Sequence, residues 1–171
     1  MVSVTLDTNT VDDGRVAEAA RLAGFELAHT TVTDRELESS GVQTAFENRR
    51  AVVEPFVMGE SAMGVAALGS RPVADAFERL LQVISNGSFP ARDRRSKLSA
   101  GERRQLRDAM ILSAHIRDGR DIFVTNDRKG FIEGGRREQL EKEFATRILT
   151  GDEFLSLCES GRGGVNGRGD R

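Results

Sequence analysis

The sequence predicts an α/β fold: a three-layer α/β/α sandwich around a central, mostly parallel sheet. Two observations carry that prediction. Short β-branched or apolar runs alternate with stretches of helical periodicity over most of the chain. The spacing Ser/Thr-x-x-Glu, which lets two side chains satisfy the first backbone N–H groups of a helix, occurs at Thr33/Glu36, Ser99/Glu102 and Thr150/Glu153. Strands joined through helices pair in parallel and carry helices on both faces, and ligands then sit at the carboxyl ends of the strands.

Taken in order, Val2 to Leu6 reads as a strand that ends at Asp7. Val16, Ala19, Ala20 and Ala23 recur at helical spacing between Val11 and Gly24, and glycine stops the helix there. Phe25 to Val32 returns to strand character, and Thr33 with Glu36 opens the next helix. From about residue 39 to 98 the pattern predicts a helical segment. Val42 to Val57 and Val73 to Ile84 are its helices, Gly64 to Ser70 separates them, and Asn86-Gly87-Ser88 closes the second. After Ser99 and Glu102, the residues Leu106, Ala109, Met110, Ser113, Ala114 and Ile116 form one apolar helix face that ends near Gly119. Asp121 to Asn126 is a strand, Glu138 to Phe144 a helix and Thr146 to Leu149 the last strand. Thr150 and Glu153 cap a final helix to about Cys158. One domain is expected over residues 1–160, followed by a flexible tail over 161–171, where five of eleven residues are glycine.

Composition bounds the function. With 171 residues, 38% of them hydrophobic and 30% charged, the chain can bury one substantial core. Lys and Arg number 25 against 27 Asp and Glu, so a net charge of -2 excludes binding to nucleic acid by bulk charge. Any polyanion site must be local. The single cysteine, Cys158, excludes a disulfide framework and cysteine metal clusters, and suits a reducing compartment, so a cytoplasmic protein is expected. Met1-Val-Ser-Val-Thr-Leu-Asp7 lacks the features of a signal peptide, and no apolar span approaches the roughly 18 residues a membrane helix needs. Nine Phe without Trp or Tyr leave Phe and Arg as the stacking groups for bases.

The chemistry points to carboxylates. Asp7 follows the first strand, and Asp127 follows the Ile122 to Thr125 strand by two residues, so both should project from one sheet edge. Asp108 stands beside the core-facing Ala109 in the best-defined helix, where a charge near an apolar stripe needs a reason. Glu36, one turn after the second strand, reaches the same crevice if those strands are neighbours. Converging carboxylates raise one another's pKa unless a cation neutralises them, and an all-oxygen set favours Mg²⁺ or Mn²⁺. In phosphodiester hydrolysis a cation so held acidifies water and offsets charge on the phosphate, leaving a 5′-phosphate and a 3′-hydroxyl.

Four motifs together resemble the PIN domain family: Leu6-Asp7-Thr8-Asn9, Glu36 after the second strand, the helix Asp108-Ala-Met-Ile-Leu-Ser-Ala114, and Phe123-Val-Thr-Asn-Asp127-Arg-Lys-Gly-Phe131. The closing stretch Arg147 to Leu155 adds to the match, which runs from Val2 to about Leu37 and from Ser99 to about Leu157. The resemblance implies a metal-dependent ribonuclease acting on single-stranded RNA, with Asp7, Glu36, Asp108 and Asp127 as metal-binding and catalytic carboxylates. Thr8, Asn9, Thr125 and Asn126 would be their polar support on the substrate side. Many such domains are toxins held by a small antitoxin protein, and many dimerise, so an inhibitory partner and a homodimer are further expectations. The stretch between Glu36 and Asp108 is longer than in compact toxins of this kind. A non-catalytic PIN-like module that binds RNA or protein is the alternative.

Each carboxylate also has a plain reading. Glu36 can be a capping-box residue, with Asp34 or the more distant Glu60 as substitute ligands. Asp7 and Asp127 can begin turns, and Asp108 can lie exposed on its helix. His29 and His115 read as core or surface histidines, and Cys158 as a small buried hydrophobe. From Arg92 to Arg107 seven basic residues face two acidic ones. This run is either a solvated face or a phosphate-binding rim in which Arg104 and Arg107 act with Arg128 and Lys129. Arg136 and Arg137 lie among Glu133, Glu138 and Glu141 and carry less weight.

Overall fold

The computed structural model describes residues 1–39, 50–55, 57, 61 and 70–163. Among them, β1 (Ser3–Leu6), β2 (Glu26–Thr30), β3 (Arg50–Val52), β4 (Ile122–Val124) and β5 (Arg147–Leu149) form one sheet. Its order is β3-β2-β1-β4-β5 and every pairing is parallel. The helices are α1 (Gly14–Ala23), α2 (Thr31–Ser39), α3 (Arg71–Ile84), α4 (Ala100–Arg117), α5 (Arg136–Phe144) and α6 (Gly151–Gly163). The expected α/β/α sandwich is what the chain forms.

Alternation along the strands builds the two covered faces. Val4, Leu6, Ile122, Val124 and Leu149 pack with Val16 and Ala20 of α1 and Phe154 and Cys158 of α6. Phe123 and Ile148 point the other way, into a core with Phe77, Leu80, Leu81 and Ile84 of α3 and Met110 and Leu112 of α4. Burying each such side chain contributes about 1.5–3 kcal/mol before the entropy of ordering is charged against it. Cys158 is a buried member of the first core, as its composition-based reading expects.

Helix ends follow local rules. Ser99 Oγ accepts from Glu102 N at 3.2 Å while Glu102 Oε2 accepts from Ser99 N at 2.6 Å, so the capping box of α4 is complete. Thr150 and Glu153 do the same for α6 at 3.2 and 2.8 Å. Gly24, at φ 69°, closes α1 in the left-handed region that a side chain disfavours.

Three expectations need correction. The second helix starts at Thr31, not after Thr33, because Thr30 Oγ1 accepts from Thr33 N at 3.3 Å and takes the capping place. The helix expected from Val42 to Val57 does not cover residues 50–52, which pair in parallel with β2 as β3; residues 42–49 lie outside the described residues. Finally, α6 continues past Cys158 to Gly163, and residues 164–171 also lie outside the described residues. Among the described residues no helix is long and apolar enough to cross a membrane.

Strand order reverses direction between β1 and β4: the chain steps from β1 to β2 and β3 on one side, then returns to β4 and β5 on the other. Such a switch point opens a crevice at the carboxyl ends of the two strands. Asp7 and Asp127 follow those two strands.

Candidate functional site

Asp7 is anchored from several directions. Its backbone N–H donates to the Val124 carbonyl at 2.9 Å, which continues the β1–β4 pairing by one residue. Its Oδ2 accepts from Thr125 Oγ1 at 2.6 Å and Asn9 Nδ2 at 2.9 Å, and its Oδ1 accepts from Thr8 N at 2.8 Å. The Asx-turn reading is thus realised in part, and it fixes the carboxylate rather than removing it from the crevice. Burial pushes the Asp7 carboxyl up to about 6; the bonds from Thr125 and Thr8 pull it back, and the charges of Glu36 and Asp127 push it further.

Asp127 precedes a single wide turn of helix, Arg128–Ile132, and its Oδ1 accepts from Gly130 N at 3.0 Å. Its Oδ2 meets Arg104 Nη2 at 3.1 Å. A β-carbon at Gly130 would lie 3.1 Å from Asp127 Oδ2 and 3.5 Å from Asp108 Oδ2, so the glycine leaves the space in which these two carboxylates face one another. Asp108 is half-buried on α4, and its carboxylate makes no hydrogen bond among the described residues. Burial pushes its carboxyl up to about 8; Asp7 and Asp127 add to the rise, Arg104 opposes it, and Glu36 adds a smaller push. The exposed-surface reading of Asp108 therefore does not hold.

Glu36 comes to the same edge on α2. Thr8 Oγ1 donates to its Oε2 at 2.6 Å, and Arg107 Nη1 stands 3.9 Å from its Oε1. Because α2 begins earlier than the spacing predicts, Glu36 is not a third-position capping residue. Asp34 is no substitute for it, since Asp34 Oδ1 is engaged with His29 Nε2 at 2.8 Å. Glu60 lies outside the described residues. The structure thus brings Asp7, Glu36, Asp108 and Asp127 into electrostatic reach of one another. Among the described residues, no three of them close around a single point as tightly as ion ligands do.

The supporting residues divide by exposure. Thr125 is fully buried; its hydroxyl donates to Asp7 and accepts from Asp127 N at 3.0 Å, so it positions both carboxylates and is shielded from any ligand. Asn126 and Asn9 are also structural: Asn9 Oδ1 accepts from Asn126 N at 2.8 Å, and Asn126 Oδ1 accepts from Gly151 N at 3.0 Å, which ties the start of α6 to the crevice. A cleft of about 290 Å³ opens beside Asp108 and Asp127, with Arg104, Gln105 and Lys129 among its walls. Arg128 turns away and pairs with Glu133 at 3.0 Å. The cleft is also lined by Gly101, Gln105, Gly130 and Arg136, none of which the sequence pattern marks as a site residue; Arg136 carries little weight there because Glu133, Glu138 and Glu141 surround it.

Neither histidine belongs to the site. His29 is buried beside Asp34, and His115 is buried with Thr5 Oγ1 at 2.9 Å and Thr146 Oγ1 at 2.8 Å. Burial pushes His115 down to about 3, with the Arg120 charge adding to the fall and Asp121 opposing it. It stays neutral and links β1 to Thr146, the residue before β5. No protein-family model and no curated protein sequence matches this chain.

Proposed function

We propose that the chain is a metal-dependent endoribonuclease of the PIN class that hydrolyses phosphodiester bonds in single-stranded RNA. One observation carries this reading: four carboxylates from β1, α2, α4 and the end of β4 gather at the switch point, and burial with mutual repulsion raises two of them. A folded chain holds such repelling groups together at a cost, and a divalent cation offsets it. The donor chemistry fits Mg²⁺ or Mn²⁺, because all four groups offer hard oxygens. Asp7, Glu36, Asp108 and Asp127 would hold the ion, which when bound acidifies water and offsets charge on the phosphate.

The chain's own residues do the rest. Thr125 and Asn9 hold the Asp7 carboxylate, and Thr8 holds Glu36, so neither swings away when a phosphate enters. Arg104 and Lys129 line the cleft and supply positive charge for the phosphate oxygens. Without a cation Asp108 is protonated over much of the neutral range and carries no charge to repel RNA. Single strands suit a shallow cleft because their backbone and bases are accessible.

The test is cleavage of an end-labelled single-stranded RNA by the purified chain in Mn²⁺, Mg²⁺ or EDTA, beside Asp7→Asn and Asp127→Asn. Cutting in metal alone, lost in both variants while circular dichroism shows them folded, supports the reading; cutting by the variants at the wild-type rate sinks it. The toxin role adds an inhibitory protein partner, and growth arrest on expression, relieved by Asp7→Asn, is its signature. A second reading, a PIN-like module that binds RNA or protein without cutting, draws on the looseness of the carboxylates and on the Arg104–Asp127 pair. RNA binding without cleavage in either metal would favour it.

A further inference from the structure

A second groove, about 490 Å³, lies between the end of α3 and the start of α5. That volume falls within the roughly 300–1,000 Å³ of sites that take small organic ligands. Arg79 and Glu143 face each other across it at 2.9 Å and cancel. Glu78 on its rim is taken by Arg92 at 3.0 Å and Arg95 at 2.7 Å. The groove's remaining charge is Arg136. Its Nη1 donates to the Glu133 carbonyl at 2.9 Å, its Nε is buried without a partner, and among the described residues it has no carboxylate.

Arg136 also lines the acidic cleft, so one residue borders both cavities. Gly134 permits that placement. Its φ of 69° is open to glycine, and a β-carbon there would lie 3.3 Å from Arg136 Nη1. Gln82, Asn86 and Gln139 line the groove, and side-chain amides both donate and accept, as the edges of bases require. Arg136 Nη2 has no hydrogen-bond partner among the described residues, and a planar guanidinium is the side chain best matched to a phosphate.

We infer that this groove takes the stretch of single-stranded RNA that flanks the phosphate lying in the acidic cleft. Arg136 holds the backbone phosphate between the two cavities. The inference rests on the ribonuclease reading and adds to it a direction for the substrate, from the carboxylates across Arg136 toward α3. The basic run Arg92–Lys97 then has a place: through Glu78 it is tied to the far rim of the groove rather than to the carboxylates.

The test uses the full chain and one fluorescein-labelled single-stranded RNA, with two readouts: anisotropy in EDTA, where the RNA survives, and cleavage in Mn²⁺. Arg136→Ala should weaken binding about tenfold and reduce the slope of log affinity against log salt by about 0.7, one phosphate contact on a single strand. It should raise KM more than it lowers kcat. Arg136→Lys keeps a charge and should restore most of the salt slope. Gln82→Ala, on the opposite wall, should weaken binding by a smaller factor. Arg147→Ala removes an equal charge at the exposed start of β5 and should change nothing. Unchanged RNA affinity in a folded Arg136→Ala overturns the groove, and if the wild type still cuts RNA the nuclease reading survives alone. RNA binding that depends on Arg136, without cutting in either metal, overturns the nuclease and supports the groove. Groove variants that alter capture of a protein but not of RNA overturn the choice of occupant.

Discussion

His115 shows how much one buried side chain decides. Its pKa falls to about 3 in the fold against about 6.5 free, so the unfolded chain binds a proton the folded chain refuses. Its contribution to stability is therefore full above pH 6.5 and is lost as pH falls from there toward 3. Urea titrations at neutral pH and near pH 4 should show His115→Gln costing about 1–2 kcal/mol at neutral pH, where Thr5 and Thr146 lose an ideal partner, and narrowing the gap between the two conditions. Asp108 has the opposite sign. Its raised pKa means a contribution present below about 3.8 and lost as pH rises through about 8. Asp108→Asn should thus stabilise the chain in EDTA at pH 8, by about 1–3 kcal/mol on thermal or urea unfolding, while ending cleavage. Asp7 and Asp127 were legible as residues at strand ends, Glu36 as an acid one turn after β2, and Asp108 as a charge beside an apolar helix face. Arg136 was not, because Glu133 and Glu141 beside it look like partners; in the fold Glu133 pairs with Arg128, and Glu141 accepts from Ile148 N.

At the scale of elements, the wide turn after β4 sets the separation of two carboxylates. Gly130→Ala places a β-carbon 3.1 Å from Asp127 Oδ2, so that carboxylate must move by a few tenths of an ångström. Cleavage should fall about tenfold or more, since catalysis is sensitive to such displacement, with stability changed by about 1 kcal/mol. Thr125→Val removes the hydroxyl shared by Asp7 and Asp127 and should cost about 1–2 kcal/mol together with most of kcat. The elements themselves differed in legibility for physical reasons. Both capping boxes at α4 and α6 are local devices, visible in four residues. The edge strand β3 is three residues long, too short to show a period, and it is placed by pairing with β2 rather than by its own pattern. Thr33 and Glu36 have the capping spacing, yet Thr30, also able to cap, stands where β2 ends.

The whole molecule explains why these parts meet. A parallel sheet that reverses its winding between β1 and β4 brings Asp7 and Asp127 to one edge, and α4 adds Asp108 within their electrostatic reach. Arrival of the chain from α2 adds Glu36, so residues spread over more than a hundred positions share one field. The fold class could be read from alternation, and the four carboxylates from their places; the two grooves could not, because cavities arise from packing between helices distant in sequence. Binding of Mg²⁺ or Mn²⁺ to the fold but not to the unfolded chain should raise Tm, by about 2.7 kcal/mol of stability at a hundredfold excess over Kd. Asp7→Asn should lose most of that rise.

The most direct measurement is the rate at which an end-labelled single-stranded RNA is cut in Mn²⁺ by the wild-type chain, by Asp7→Asn and by Asp127→Asn, each repeated in EDTA. Metal-dependent cutting with a 5′-phosphate on the product, abolished in both folded variants, is the predicted result. Cutting that persists in the variants, or in EDTA, would contradict the account.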